Sequence, residues 1–258
     1  MYISFNPYRT IGMKNVRYIK PENMFQHIEE IKQAEYLLFP EYWQVNTLYY
    51  GLKKKIFPSI STYHIGHTKV EMTRVLEATF PEYVPFTLIR ANTISNQQEI
   101  LDTFPFPFIA KDIRNSMGRG VYLINNPSDF IQYIEKHDVL YVQEYLPIQK
   151  DMRIVYVGDE VIESYWRVNE QHDFLTNISQ GGTILYDDIP PEAIQLVKQI
   201  AHALDINHAG FDIAEVDGHF YIFEFNVFFG NTGLRNPYYH QHVMNYLLKD
   251  KKIIFPSN

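Results

Sequence analysis

The chain has 258 residues, 46% of them hydrophobic and 21% charged, a composition long enough to bury a large core and too apolar for a disordered chain. Thirty acidic against 23 basic residues give a net charge of −7, which argues against sequence-independent nucleic-acid binding, since that needs a cationic surface. There is no cysteine, which excludes disulfide frameworks, thiolate nucleophiles and cysteine zinc sites.

The opening Met-Tyr-Ile-Ser-Phe-Asn-Pro carries no basic leader, and no apolar run reaches the roughly 18 residues that span a bilayer. A cytoplasmic protein with no membrane partner is expected. In chain order, Tyr2 to Phe5 reads as a strand, Pro21 to Gln33 as a helix opened by proline, and Tyr36 to Phe39 as a strand. Trp43 to Lys53 comes next as a helix, then Ile56 to Ile60 as a strand broken by Pro58. This alternation predicts a small parallel α/β unit over residues 1–66 that leans on the rest of the chain.

Lys69 to Ala78 reads as a helix, and Ser95 with Gln98 as a capping box opening another through Leu101. Pro105 to Lys111 is a predicted strand, 112–120 a polar loop with glycines, and Val121 to Ile124 a strand. Asn126-Pro127 opens a helix with Phe130, Ile131 and Ile134 on one face, and Leu140 to Gln143 returns as a strand. These elements predict an α+β subdomain over 67–146. In the remainder, 147–258, Ile154 to Val157 and Val161 to Val168 form a hairpin around Gly158-Asp159. Pro190 to Leu204 has the clearest helical spacing. Gly210 to Val216 and His219 to Val227 form a second hairpin around Asp217-Gly218, and Tyr238 to Leu248 closes the chain as a helix.

The second hairpin carries the most informative chemistry. Strand alternation puts Phe220, Ile222, Glu224 and Asn226 on one face, and a turn with an odd number of residues, such as a three-residue loop with Gly218 left-handed, adds Asp212. Two carboxylates and an amide oxygen gathered without basic neighbours suit magnesium, whose other positions substrate phosphates fill. That points to a nucleotide, although neither the P-loop nor the three-glycine dinucleotide fingerprint occurs. Instead Lys111 ends an apolar strand ahead of Ser116-Met117-Gly118-Arg119-Gly120, a loop whose backbone N–H groups can cradle phosphate. Downstream, Tyr141-Val142-Gln143-Glu144-Tyr145-Leu146-Pro147 leaves a strand whose exposed end can offer a backbone donor and acceptor to an adenine edge.

Taken in order, these segments resemble the ATP-grasp superfamily, in its glutathione-synthetase and ribosomal-protein glutamate ligase type, over roughly Lys69 to Arg235. They are Lys69, Pro107 to Lys111, Ser116 to Val121, Gln143 to Leu146, Asp151-x-Arg153, Arg167, Asn177 with Gly181-Gly182, and Asp212 with Glu224-x-Asn226. The resemblance implies an α/β (α+β) ATP-grasp fold, two α+β subdomains clasping ATP after a small Rossmann-like parallel unit. It implies that Lys69 and Lys111, with Ser116, Gly118 and Gly120 of the loop, meet the ATP phosphates. Gln143, Glu144, Tyr145 and Leu146 would line the adenine pocket and Asp151 would hold the ribose. Asp212, Glu224 and Asn226 would hold magnesium, with manganese as the alternative.

Arg153 and Arg167 would face the transferred phosphate and the acyl substrate, Asn177 would shape the same cavity, and Arg235 would anchor a carboxylate. The implied activity is ATP-dependent ligation of a carboxylate to an amine through an acyl phosphate, on an amino acid or peptide, and a homodimer is common among relatives. Three features depart from the family: Thr68 where Asp is frequent, Asn115 where a loop glycine is common, and a short amino-terminal unit. Two other readings stay open, an ATP-binding module without turnover and a kinase acting on a hydroxyl. His64, His67, His240 and His242 read as ordinary loop or surface histidines, and Tyr186-Asp187-Asp188 as a match to the dipole of the next helix.

Overall fold

Short apolar strands separated by helices assemble the first quarter of the chain into a parallel sheet. The computed structural model describes residues 1–113, 120–168, 183–235 and 238–254. Strands β1 (Tyr2–Ser4), β2 (Val16–Tyr18), β3 (Tyr36–Leu38) and β4 (Ile56–Phe57) are all parallel, in the order β2-β1-β3-β4. Helices α1 (Ile28–Gln33), α2 (Tyr42–Asn46) and α3 (Ile60–Ile65) connect or follow them. The helix predicted from Pro21 is a tight 3₁₀ turn as far as His27 and α-helical only from Ile28. The strand predicted through Ile60 stops at Phe57. Pro58 cannot donate to a ladder, and the Ser59 hydroxyl accepts from Thr62 N–H to cap α3. β2 was not expected: three residues at a half-exposed edge carry no periodic signal.

The middle of the chain forms α4 (Lys69–Thr79), β5 (Thr87–Ala91), α5 (Ile94–Thr103), β6 (Phe108–Lys111), β7 (Val121–Ile124), α6 (Pro127–Ile134) and β8 (Val139–Glu144). Its sheet is antiparallel, β5-β8-β6-β7. α5 is capped by Thr93, whose hydroxyl accepts from Asn96 N–H, and not by Ser95. Asn126 caps α6 with Pro127 in the first turn, as the sequence indicates. Ile100, Phe104, Phe108, Phe130, Tyr133 and Leu140 make a core belonging to this sheet.

The remaining elements are β9 (Lys150–Val157), β10 (Glu160–Val168), β11 (Thr183–Leu185), α7 (Pro191–Ala203), β12 (His208–Val216), β13 (His219–Asn226) and α8 (Tyr239–Ile254). Their sheet is antiparallel, ordered β11-β10-β9-β12-β13. On one face Met152, Ile154, Phe211 and Ile213 share a core with Val197 and Ile200 of α7 and with Ile3 and Leu37 of the parallel sheet. On the other, Val155 and Val157 pack with Phe229, with Val243 and Leu247 of α8 and with Tyr2 and Tyr36. Burying each such side chain contributes roughly 1.5–3 kcal/mol, so the first sheet is anchored through both of its faces. The second apolar core stops short of the Asp151 end of β9, where the face is charged.

The hairpin of β12 and β13 differs from expectation in a way that matters for the site. Its turn has two residues, not three: Val216 pairs with His219, and Asp217 and Gly218 have φ of 52° and 79°. With that even turn Asp212 would face Phe223. A bulge shifts the register instead, so that Ile213 opposes Ile222 and Asp212 opposes Glu224, leaving Phe223 as the extra residue. Ile222 and Phe225 therefore both enter the core, Glu224 and Asn226 turn to the other side, and the single face predicted for Ile222, Glu224 and Asn226 is split.

Candidate active site

Cross-strand register aligns the charged residues. Tyr165 pairs with Arg153, Arg153 with Asp212, and Asp212 with Glu224, while Arg167 pairs with Asp151 one step along. Directly opposed residues share a face, so one row of side chains crosses four strands. Arg153 donates from Nε to Asp212 Oδ1 at 2.5 Å and from Nη2 to Oδ2 at 3.1 Å. Arg167 donates to both Asp151 oxygens at 2.7 and 2.6 Å, and its Nη2 also lies 3.1 Å from Asp212 Oδ2. Lys69 Nζ lies 3.1 Å from Glu224 Oε2, and Asn226 donates to Glu224 Oε1 at 3.3 Å.

Lys69 is delivered by the first turn of α4. Thr68 caps that helix by accepting from Glu71 N–H, and Lys69 N–H donates to Ile113 O beside the predicted phosphate loop. α4 is held at both sides: Phe225 N–H donates to Met72 Sδ, and Thr73 shares a 2.8 Å hydrogen bond with the Tyr141 hydroxyl of β8. Neither contact is signalled by the sequence, because each joins residues far apart in the chain. Lys111 ends β6, buried, with its ammonium donating to Gln143 Oε1 at 2.7 Å and lying 5.5 Å from the Phe223 ring centre. The bulge residue thus reaches the cation of the other sheet.

Burial lowers the Lys111 pKa to about 8, against the pull of Glu224 and with the push of Lys69. Glu224 is held below its ordinary value: burial opposes ionisation, but Lys69 and Lys111 outweigh it. Burial raises the Asp212 carboxyl against the opposing pull of Arg153 and Arg167. Four cations, Lys69, Lys111, Arg153 and Arg167, meet three carboxylates, Asp151, Asp212 and Glu224. A locally positive, largely buried cluster in a chain of net charge −7 is a place for an anion.

Several expected residues are placed differently. Gln143 is buried, with its amide bridging Lys111 and Thr87, so its side chain orients the lysine. Glu144 accepts from Phe86 N–H at 2.7 Å and fastens β8 to the start of β5. Asp151, at the start of β9, is buried with both carboxylate oxygens accepting from Arg167. Tyr145 is exposed and Leu146 half-buried just past β8. Gly120 has φ of 73°, and a Cβ there would run into the Asp112 carboxylate. Ser116, Gly118, Asn177, Gly181 and Gly182 lie outside the described residues.

The sequence reading missed Glu163, Tyr165 and Tyr186. Buried Glu163 accepts from Arg235 N–H at 3.0 Å and from its Nη2 at 2.8 Å, while the guanidinium lies 4.2 Å over the Tyr186 ring. Tyr186 also donates to Gly233 O and touches Tyr165, so it braces the Arg235 loop and does more than precede α7. The period-two alternation of β10 could have flagged Glu163 and Tyr165 as face-mates of Arg167. His67 lies 3.5 Å from Glu71 and His242 2.8 Å from Glu160. Among the described residues, no group of three or more histidine and acidic side chains is arranged to hold a metal. The set at the hairpin end is two carboxylates and an amide, the oxygen chemistry that suits magnesium. It is not free of basic neighbours as expected: Arg153 bonds both Asp212 oxygens and Lys69 pairs with Glu224, so these contacts would be shared or displaced on metal entry.

A RimK-like ATP-grasp domain matches residues 69–238, about two-thirds of the chain. The protein belongs to the RimK-like ATP-grasp family. It is 26% identical over 187 residues to the coenzyme gamma-F420-2:alpha-L-glutamate ligase of Methanococcus maripaludis, covering 69% of this chain and 64% of that protein. It is also 26% identical over 136 residues to a ribosomal protein bS6–L-glutamate ligase of Escherichia coli, covering 50% and 45%. The ATP-grasp chain thus spans less than two-thirds of these relatives. In fold it is similar to a D-alanine–D-alanine ligase from Bacillus anthracis, with TM-score 0.71, 13% identity and 98% and 99% of the two chains covered. A RimK-domain ATP-grasp protein from Sphaerobacter thermophilus gives TM-score 0.65 at 14% identity over 84% and 82%. Among the described residues no helix is long and apolar enough to cross a membrane.

Proposed function

We propose that this ATP-grasp chain is an ATP- and magnesium-dependent ligase that joins a carboxylate to an amine, acting on an amino acid or peptide. The observation that carries the reading is the pairing of Asp212 with Glu224 across the bulged hairpin, with Lys69 and Lys111 converging on Glu224 from a helix and a second sheet. The two glutamate ligases it resembles support the same reaction class.

Asp212, Glu224 and Asn226 would hold magnesium, which supplies charge neutralisation on the triphosphate. Lys111 and Lys69 bind phosphate oxygens as point charges, and burial strengthens those contacts by lowering the local dielectric. The substrate carboxylate oxygen attacks the γ-phosphorus and ADP leaves. The resulting acyl phosphate is attacked at carbon by the amine, phosphate leaves with the bonding pair, and the nitrogen gives up its proton to form the amide. Arg153 and Arg167 stabilise the negative charge that builds on the transferred group, held in position by Asp212 and Asp151. Arg235, its backbone and one edge fixed by Glu163, presents the rest of a side chain 59% exposed to a substrate carboxylate.

The test is ADP release with magnesium across amino acids and short peptides, with the product weighed. Substrate-dependent ADP and a product lighter by one water than its two precursors are expected. ATP binding without substrate-dependent ADP would return the protein to a binding module. A product heavier by one phosphoryl group would make it a kinase.

A further inference from the structure

A second concavity lies among α2, α3 and the start of α4. Tyr42, Trp43, Val45 and Tyr63 of the amino-terminal unit and His64, His67 and Glu71 surround a groove of about 620 Å³. Val45 and Tyr63 are buried and form its floor, whereas Trp43 is 54% and Tyr42 37% exposed. An indole this exposed at the rim of a groove is unusual for a residue whose area normally drives packing.

The groove borders the carboxyl end of β13. Tyr42 and Tyr63 contact the Phe228 ring at 6.4 and 5.8 Å between centroids, and Phe228 follows Asn226 by two residues. Two residues of extended chain span at most about 7 Å. The Tyr42 hydroxyl donates to Gly66 O, and Gly66 packs against Val227 and Phe225 of the site strand. Phe225 and Val227 belong to the core face and Glu224 and Asn226 to the other, so a peptide reaching from the site to the groove would pass the end of β13 at Phe228.

The charge and ring chemistry of the lining select what those bonds carry. Glu71 is the carboxylate in the lining, bonded to Thr68 Oγ1 at 3.0 Å and half-exposed. It acts on Tyr42, whose hydroxyl is raised to about 12 by burial first and by Glu71 second. Glu41 acts in the same sense on Tyr63, while Arg9, stacked over Phe228, acts in the opposite sense. His67 faces both Glu71 and the Tyr42 ring. Aromatic faces with a carboxylate at the rim attract a cation on a flexible apolar stem, because ring quadrupole and carboxylate act together on a partly desolvated charge.

Building on the ligase reading, we infer that this groove binds a basic side chain, lysine or arginine, of a peptide substrate, at a residue other than the reacting one. The alkyl stem lies on Tyr42 and Trp43 and the charge meets Glu71. The groove thereby favours cationic peptides over free acidic amino acids.

Trp43 reports on the groove directly, since the other tryptophan, Trp166, is buried. The experiment titrates N-acetyl-lysine methylamide, N-acetyl-norleucine methylamide and glycinamide into the full chain without nucleotide and follows tryptophan emission. The lysine amide is expected to shift the emission saturably, with Kd at least tenfold below those of the norleucine and glycine amides. That preference should vanish in Glu71→Gln, and Trp43→Phe should abolish the signal. Glu71 is on the exposed side of its helix, and Glu71→Asp provides a second variant expected to keep part of the preference. Equal affinity for lysine and norleucine amides, a preference that survives in Glu71→Gln, or no saturable change up to about 10 mM ligand overturns the inference. Tighter glycinamide binding would assign the groove to a terminal ammonium and overturn it equally. No turnover is read in the binding titration, so failure of the ligase reading, seen as absent substrate-dependent ADP, is distinguishable from failure of the groove.

Discussion

Lys111 sums up the chemistry at the residue scale. An ammonium buried at the end of β6 with Gln143 as its hydrogen-bond partner is destabilised until an anion arrives, and that is why its pKa falls to about 8. On the proposed reading, its charged form is the one that binds phosphate. Affinity for ATP should therefore be level below pH 8 and fall as pH rises through 8, approaching tenfold per pH unit, until the bound state itself loses the proton. Calorimetric titration of ATP between pH 6.5 and 9.5 measures this, with Lys111→Met expected to bind weakly and without that dependence. A wild-type affinity unchanged from pH 7 to 9 would mean that Lys111 does not meet the phosphates. The sequence showed this lysine because it ends an apolar run, a local signal. It did not show that Gln143 serves Lys111, or that Asp151 serves Arg167, because those partnerships depend on which strands become neighbours.

Among elements, the bulged hairpin and the first turn of α4 matter most. The sequence indicated that Asp212, Glu224 and Asn226 belong together, and their residue types are what made that legible. The path differed, since parity is restored by the extra Phe223 in β13 and not by a longer turn. A bulge leaves no compositional mark, whereas Asp217-Gly218 marks a two-residue turn plainly, both positions having positive φ. α4 explains how Thr68 serves at this position: its side chain caps the helix by accepting from Glu71 N–H, as an Asp there would. Thr68→Ala should cost about 1 kcal/mol in denaturant unfolding and weaken ATP binding through Lys69, while Thr68→Asp should stay within about 0.5 kcal/mol of the parent. Equal stability of all three proteins would show that the cap does not hold the helix start.

For the whole molecule, the parallel sheet was legible from its alternating strands and helices, and the helix of Pro190 to Leu204 from its spacing. The way the sheets share cores was not, because shared burial is a property of the assembled chain. The parallel sheet and the five-stranded sheet are joined through two apolar clusters, while the β5-β8-β6-β7 sheet keeps a core of its own. Lys111 comes from the latter, Asp212 and Glu224 from the former, and Lys69 from the helix that touches both. On the proposed reading, one magnesium-bound triphosphate is gripped by both bodies. The most direct measurement is calorimetric titration of ATP, with magnesium and with excess EDTA, into the parent, Glu224→Ala and Lys111→Met. With magnesium, each variant should bind at least tenfold more weakly than the parent. With EDTA, Glu224→Ala should bind ATP at least as well as the parent while Lys111→Met remains weak. Parent-like magnesium-ATP affinity in Glu224→Ala would contradict the shared grip.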